Sequence, residues 1–360
     1  MWKERWKFIK KNKMNMEICK NTKVYILLPT KDATGGLELL HQLVYNLIKI
    51  GIDAFLYYPY EDRNPIHESY EKYNNPFCKK IKDSVENILI YPEVYGALPI
   101  LNKYKNIRKI MWWLSVDNFY AFKLSSSRKN LFFYRLINKL LKIFGIEPVF
   151  DLRIIVHRNL KIDNLVKQAN MHLVQSYYAM DYLIKAGFDP NCIKYLSDYL
   201  NEDFLNIETN LSDKKNVVIF NPKKGIAFTQ KILKKVSGLK FIPIINMKRE
   251  EVIKHLQEAK VYIDFGNHPG KDRIPREAAI LGCCVITGKR GSAAFFEDIP
   301  IFDEYKFKDE KENITKIIDK INDCLEHFEY RYKDFDHYRE IIKQEPKKFL
   351  EDLKDVFNRR

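Results

Sequence analysis

The sequence predicts an α/β protein made of two successive βαβ halves, and three observations carry that expectation. A short apolar run, Val24 to Pro29, leads through a polar glycine-bearing turn, Thr30 to Gly36, into apolar residues at helical spacing (Leu39, Leu40, Leu43, Leu47, Ile50) closed by Gly51. The same alternation restarts at Val217, after the polar stretch Asn206 to Asn216. The chain has 360 residues, enough for two domains that each bury a core.

In the first half, Ala54 to Tyr58 follows Gly51 as a second strand, which completes a βαβ unit. Ile88 to Tyr91, Lys109 to Leu114, Phe150 to His157 and Met171 to Gln175 read as further short strands. Ser176 to Ala186 reads as a helix ending at Gly187, with Pro190 beyond it. In the second half, strands are expected at Val217 to Phe220, Phe241 to Ile245, Val261 to Phe265 and Cys284 to Thr287. Helices are expected at Phe228 to Val236, Lys248 to Ala259 and Pro275 to Leu281, the last stopped by Gly282. From Glu310 onward the pattern is helical and charged. The expected division is a basic leader at 1–22, a first domain at 23–205, a second at 206–335 and a helical tail at 336–360 that can return to the first domain. Twin folds of this kind bind ligands at the carboxyl ends of their strands, in a cleft between the domains.

Composition narrows the function. Hydrophobic residues make up 46% and aromatics 14%, more than a disordered chain carries. No apolar run approaches the roughly eighteen residues of a membrane-spanning helix. Met1 to Met14 lacks the apolar core of a secretory signal. The six cysteines form no CxxC pair and show no ligand spacing with histidine, so a reduced, cytosolic protein without a bound metal or other cofactor is expected. The net charge of +15 calls for an anionic partner. No helix-turn-helix, RNP or zinc-finger pattern points to nucleic acid. Two basic amphipathic stretches point instead to an anionic membrane surface on the cytoplasmic side. One is Met1 to Met16, with Trp2, Trp6 and Ile9 among lysines; the other is Arg128 to Gly145, with Leu131, Phe132, Leu136, Leu140 and Phe144 opposite Arg128, Lys129, Arg135, Lys139 and Lys142. Both also fit ordinary surface helices packed on a core.

The most specific stretch is Tyr262 to Ala293. A strand ends at Phe265, a loop carries Asn267, His268, Lys271, Asp272 and Arg273, and a short helix opens near Pro275 with Glu277 in its expected first turn. A loop that leads into a helix N-terminus supplies backbone N–H groups and basic side chains to a diphosphate. Glu277 is suited to accept hydrogen bonds from ribose hydroxyls. The bland reading is a strand-loop-helix connection with a capping glutamate.

This stretch resembles the donor-binding motif of GT-B glycosyltransferases, above all their family four, which includes enzymes of capsule and lipopolysaccharide synthesis. Those enzymes carry Glu-Gly-Phe-Gly-x-Pro-x-x-Glu-Ala, then small residues, a glycine and a Pro-Val-Val strand. Glu277, Ala278, Ala279, Gly282, Val285 and Ile286 match the second half in order. The first half departs: Pro269 stands where the first glutamate would be, and Pro275 lies one place nearer Glu277 than the family proline. The resemblance implies two Rossmann-like domains facing across a cleft, a nucleotide-sugar donor, and transfer to a polysaccharide or lipid-linked glycan acceptor. It also implies a donor contact from Glu277, counted in the catalytic group, beside the contacts expected of His268, Lys271 and Arg273 as polar and basic groups of the loop. Gly35 and Gly36 resemble the family's Gly-Gly loop, where φ > 0 lets backbone approach a phosphate. Lys223 and Lys224, before Gly225, match the place where these enzymes keep a basic residue for the diphosphate.

On the acceptor side, Trp113 offers a ring for sugar stacking, and Asp117 a carboxylate to orient or deprotonate an acceptor hydroxyl. The competing reading makes the tryptophan core and Asp117 a turn cap. His157 is a weaker acceptor-side candidate, since a lone histidine is more often structural. Asp334-Phe335-Asp336 has the Asp-x-Asp spacing of metal-dependent transferases but lies in the charged helical tail with no adjoining strand. A leaving diphosphate is therefore expected to be neutralised by basic groups and helix N-termini. Two other functions fit the same layout: a nucleotide-sugar 2-epimerase-like isomerase, and a non-catalytic sugar-nucleotide-binding protein at the membrane surface.

Overall fold

Parallel sheets covered on both faces need strands that are apolar along their whole length, and the short runs above are of that kind. The computed structural model describes residues 15–59, 65–125 and 164–359. The leader up to Met14, the stretch Arg128 to Gly145 and the strand expected at Phe150 to His157, with His157 itself, lie outside them. The chain divides into two compact units, one made of 1–198 with 348–360 and the other of 199–347.

The first unit holds a two-residue-period core on a seven-stranded parallel sheet. Its strands are β2 (Lys23–Leu27), β3 (Asp53–Tyr57), β4 (Phe77–Cys78), β5 (Ile88–Pro92), β6 (Arg108–Trp113), β7 (Met171–Val174) and β8 (Ile193–Tyr195), ordered β4-β3-β2-β5-β6-β7-β8. Tyr25, Leu27, Leu89, Tyr91, Met111 and Trp113 fill one face; their neighbours in sequence fill the other. Helix α1 (Gly35–Lys49) follows β2. Thr34 starts it, its Oγ accepting from the Leu37 N–H at 3.3 Å. Gly51, with φ 83°, turns the chain out after it. Leu39, Leu40, Leu43, Val44 and Leu47 are buried on its inner face, each worth about 1.5–3 kcal/mol. Leu43→Ala would break this packing at a cost of about 2–5 kcal/mol. Helices α2 (Val116–Ser125) and α3 (Tyr177–Lys185) follow β6 and β7.

The last residues of the chain complete this unit. Phe349 lies 6.4 Å from the Trp112 ring, Asp352 accepts from the Ser197 N–H at 3.1 Å, and Lys194 pairs with Asp355 at 3.0 Å. Strand β14 (Phe357–Arg359) pairs in parallel with β1 (Met16–Ile18).

The second unit has a five-stranded parallel sheet of β9 (Lys215–Phe220), β10 (Lys240–Pro243), β11 (Ala259–Asp264), β12 (Cys284–Gly288) and β13 (Lys306–Phe307), ordered β10-β9-β11-β12-β13. Helices α4 (Ile226–Leu233), α5 (Arg249–Glu258), α6 (Arg273–Ile280) and α7 (Ile314–Glu326) flank it, with α8 (Phe328–Lys333) and α9 (Asp336–Val356) after them. Lys214 staples the floor of the sheet: its buried ammonium donates to the carbonyls of Leu256, Ala259 and Leu281 at 2.9, 2.8 and 2.6 Å. Helix α6 starts at Arg273, two residues before the expected Pro275. Proline therefore occupies the third helical position, where its missing N–H is still no loss. Glu277 is correspondingly the fifth residue of the helix and lies beyond its first turn.

Candidate functional site

In the second unit, strand order reverses between β9 and β11, because β10 lies outside β9 and the chain then crosses to β11 on the other side. The loops leaving the carboxyl ends of β9 and β11 therefore flank the crevice where open α/β sheets take their ligands. Those loops are Asn221 to Gly225 and Phe265 to Asp272, the two segments singled out by sequence. They are packed backbone against backbone. Gly225, at φ 58°, would place a Cβ 1.9 Å from the Phe265 carbonyl oxygen, and a Cβ on Gly266 would meet the Lys224 side chain at 2.1 Å. A third loop, after β12, joins them through a parallel bridge between His268 and Gly291. Ser292 holds it there, donating its N–H to the His268 carbonyl at 2.9 Å and its hydroxyl to the Gly270 carbonyl at 2.6 Å.

These loops enclose a charge network. Asp264, at the end of β11, accepts from the Tyr262 hydroxyl at 2.8 Å and from the Gly266 N–H at 3.3 Å. His268 is fully buried, with Nδ1 2.8 Å from an Asp272 oxygen and Nε2 3.7 Å from Asp264. Lys224 pairs with the same Asp272 carboxylate. Burial opposes charge on His268, but Asp264 and Asp272 outweigh it and raise the imidazole pKa above its ordinary value. Burial likewise pushes Asp272 up, and Lys224 with His268 more than reverse this, holding it at about 2. The imidazole and the Lys224 ammonium thus face two carboxylates. Among the described residues, Asp264, His268 and Asp272 have metal-ligand spacing, their ligand atoms lying within 4.8 Å of one another. Here, however, the His268 ring lies between both carboxylates and the Lys224 ammonium is paired with Asp272. Beside them Arg290 pairs with Asp309, whose carboxyl burial pushes up to about 6 against the pull of the guanidinium.

The expected donor residues divide accordingly. Lys223 is exposed, and Lys224 is half-buried in its ion pair. Arg273 and Glu277 are half-buried on α6 beside the network. His268 and Lys271 are corrections: neither presents itself at the surface as a phosphate donor. His268 is the centre of the internal network, and Lys271, 9% exposed, pairs with Glu345 at 2.8 Å. Asp264, Arg276, Arg290 and Glu345 were not signalled by sequence. The Tyr262-Ile263-Asp264 strand end was the clue available for Asp264, while Glu345, 74 positions from Lys271, gave no local sign.

The first unit corrects further expectations. Gly35 and Gly36 are the first two residues of α1, exposed and without positive φ. Their freedom from a side chain is not demanded by backbone conformation: a Cβ on Gly36 would meet Leu114 at an ordinary 3.8 Å. Trp113 is 2% exposed, donates its indole N–H to His172 Nδ1 at 3.1 Å and packs 5.3 Å from the Phe119 ring, so it has no face left for a sugar. Asp117 lies in the first turn of α2, 1% exposed, and accepts from the Tyr178 hydroxyl at 2.9 Å. Strand order also reverses between β2 and β5, where Glu93 follows β5. This carboxyl was missed by sequence reading; it accepts from the Leu114 N–H at 2.9 Å, and burial pushes it up to about 7. In the tail, Phe335 is core and Asp334 accepts from the Tyr305 hydroxyl.

No family model and no curated protein matches the sequence. Solved structures do match. A glycosyltransferase from Rickettsia africae aligns with a TM-score of 0.60 at 13% identity, over 94% of this chain and 99% of its own. HepE from Anabaena, solved with UDP-glucose, aligns at 0.59 and 13%, over 93% and 98%. The lipopolysaccharide outer core galactosyltransferase WaaB aligns at 0.56 and 9%, over 93% and 98%. The fold is the GT-B fold of glycosyltransferases, with two Rossmann-like halves in one chain, as the sequence predicted.

Proposed function

We propose that the protein is a glycosyltransferase that takes a sugar from a nucleotide diphosphate and passes it to a glycan or lipid-linked acceptor. The observation that supports this most is the trio of glycine-stitched loops at the strand-order reversal of the second unit, with Lys223, Lys224 and Arg273 around the start of α6 and Glu277 behind them. HepE, of similar fold, was solved with UDP-glucose, which favours a nucleotide sugar as the ligand of this chain too. In this reading an acceptor hydroxyl oxygen bonds to the anomeric carbon as the bond from that carbon to the diphosphate breaks, and the hydroxyl proton passes to the leaving diphosphate oxygen. Basic side chains and the α6 N-terminus stabilise the charge that develops on the leaving diphosphate. Glu277 accepts from ribose hydroxyls.

Calorimetry with UDP, GDP, CDP, dTDP and ADP tests the reading. One of them should bind, and Glu277→Ala should weaken that nucleotide by about 1.5–3 kcal/mol while the melting profile is kept. Unchanged affinity would remove Glu277 from the site. We read the transfer as metal-independent, because His268 and Lys224 already engage the carboxylates of the one candidate cluster among the described residues. Activity should then survive excess EDTA, and a loss reversed by magnesium or manganese would refute this. We also place the protein at the cytoplasmic face of an anionic membrane. Among the described residues no helix is long and apolar enough to cross one, and the charge of +15 favours docking on it. Failure to co-sediment with anionic vesicles at low salt would overturn that placement.

A further inference from the structure

Lys271 and Arg276 are two cations that meet one carboxylate. Glu345 Oε1 lies 2.8 Å from the Lys271 ammonium, and its Oε2 accepts from Arg276 at 2.8 Å. All three are removed from solvent, at 9%, 0% and 3% exposure for Lys271, Arg276 and Glu345. Arg276 also reaches back along its own chain, donating to the Lys271 carbonyl at 3.2 Å and the Asp272 carbonyl at 3.3 Å. One guanidinium thus binds the loop backbone at two points while Glu345 holds the guanidinium. Glu345 itself stands on α9, directly before Pro346, within the same compact unit.

A buried ion pair of this kind is weak evidence for stability, because desolvation offsets most of the attraction. What it supplies is definition: the carboxylate fixes where both cations sit, and through Arg276 fixes the Lys271–Asp272 backbone that leads into α6. Arg273 and Glu277 ride on that helix, and Asp272 anchors Lys224 and His268. We propose that Glu345 is a positioning residue for the nucleotide site, acting through Lys271 and Arg276 on the Lys271–Glu277 segment. The inference rests on the reading of this segment as the nucleotide site. It assigns Lys271 to an internal strut and leaves direct phosphate contact to other groups.

The two roles for Lys271 predict opposite signs. If Lys271 is a strut, Glu345→Gln loosens the segment and weakens nucleotide binding about tenfold. If Lys271 is a phosphate ligand held in reserve, the same change frees its charge, and affinity stays or rises. The experiment uses the full chain, first titrated calorimetrically with the five nucleoside diphosphates, then re-titrated as Glu345→Gln and Glu345→Asp with whichever binds. Glu345→Asp keeps the charge but, one methylene shorter, cannot span both partners. It should fall between wild type and Glu345→Gln, and it is the variant to read if Glu345→Gln does not fold. A merely structural role would lower the melting temperature and leave the affinity of the folded protein unchanged. Affinity equal to or above wild type in the folded variants overturns the inference alone. If the wild type binds none of the five nucleotides, the nucleotide-site reading fails, and the inference falls with it.

Discussion

At the scale of single residues, the acids Glu93 and Asp272 make opposite pH signatures. Glu93 has its folded pKa raised to about 7, so its contribution to stability is present below the ordinary glutamate pKa and is lost as pH rises through 7. Glu93→Gln should therefore stabilise the protein at pH 8 by on the order of 1–3 kcal/mol and have little effect near pH 4, as thermal melts at the two pH values would show. Asp272 is held at about 2, so its contribution is present above the ordinary aspartate pKa and fades between roughly pH 4 and pH 2. His268 belongs with the first pattern, since its raised pKa makes stability fall as pH climbs above its ordinary range. None of these environments was legible in sequence. Trp113 shows why: an apolar run fixes that a residue lies on a strand, but not whether its ring faces solvent or His172. Glu345 shows it again, because its partners Lys271 and Arg276 lie 74 and 69 positions away.

At the scale of elements, the strands were legible because parallel strands buried on both faces leave continuous apolar runs, and α1 because its buried leucines recur at helical spacing. The pairing of β1 with β14 was not, since three-residue strands from the two ends of the chain carry no periodicity. Glycines were legible as turns but not by role. Gly225 must be glycine because a Cβ would collide with the Phe265 carbonyl at 1.9 Å. Gly225→Ala should lower stability by about 1–3 kcal/mol and weaken the nucleotide as well, measured by melting and calorimetry. Gly36→Ala is the control. Its Cβ would meet only Leu114 at 3.8 Å and its backbone is already helical, so the variant should be neutral or up to about 1 kcal/mol more stable. Destabilisation there would mean that the first turn of α1 needs more freedom than its dihedral angles show.

At the scale of the whole molecule, alternating strands and helices around residue 217 were sufficient to predict a twin α/β fold, and comparison with solved structures bears that out. The helical tail, which the sequence allows to return to the first domain, is grouped with the first unit over residues 348–360. Deleting them should uncover Trp112, strip Ser197 and Lys194 of their partners and leave β1 unpaired. The shortened chain should show early protease cleavage within 15–198, and a wild-type cleavage pattern would refute the closure described above. A ribosome delivers Trp112 long before Phe349, and at about 5–20 residues per second the interval is on the order of ten to fifty seconds. During that time the sheet face under Trp112 is open to water and to other nascent chains, while the second unit is emerging with all its own strands. The half translated first is thus the half completed last, and chaperone demand should concentrate on it; arrested nascent chains probed by proteolysis would register that order directly.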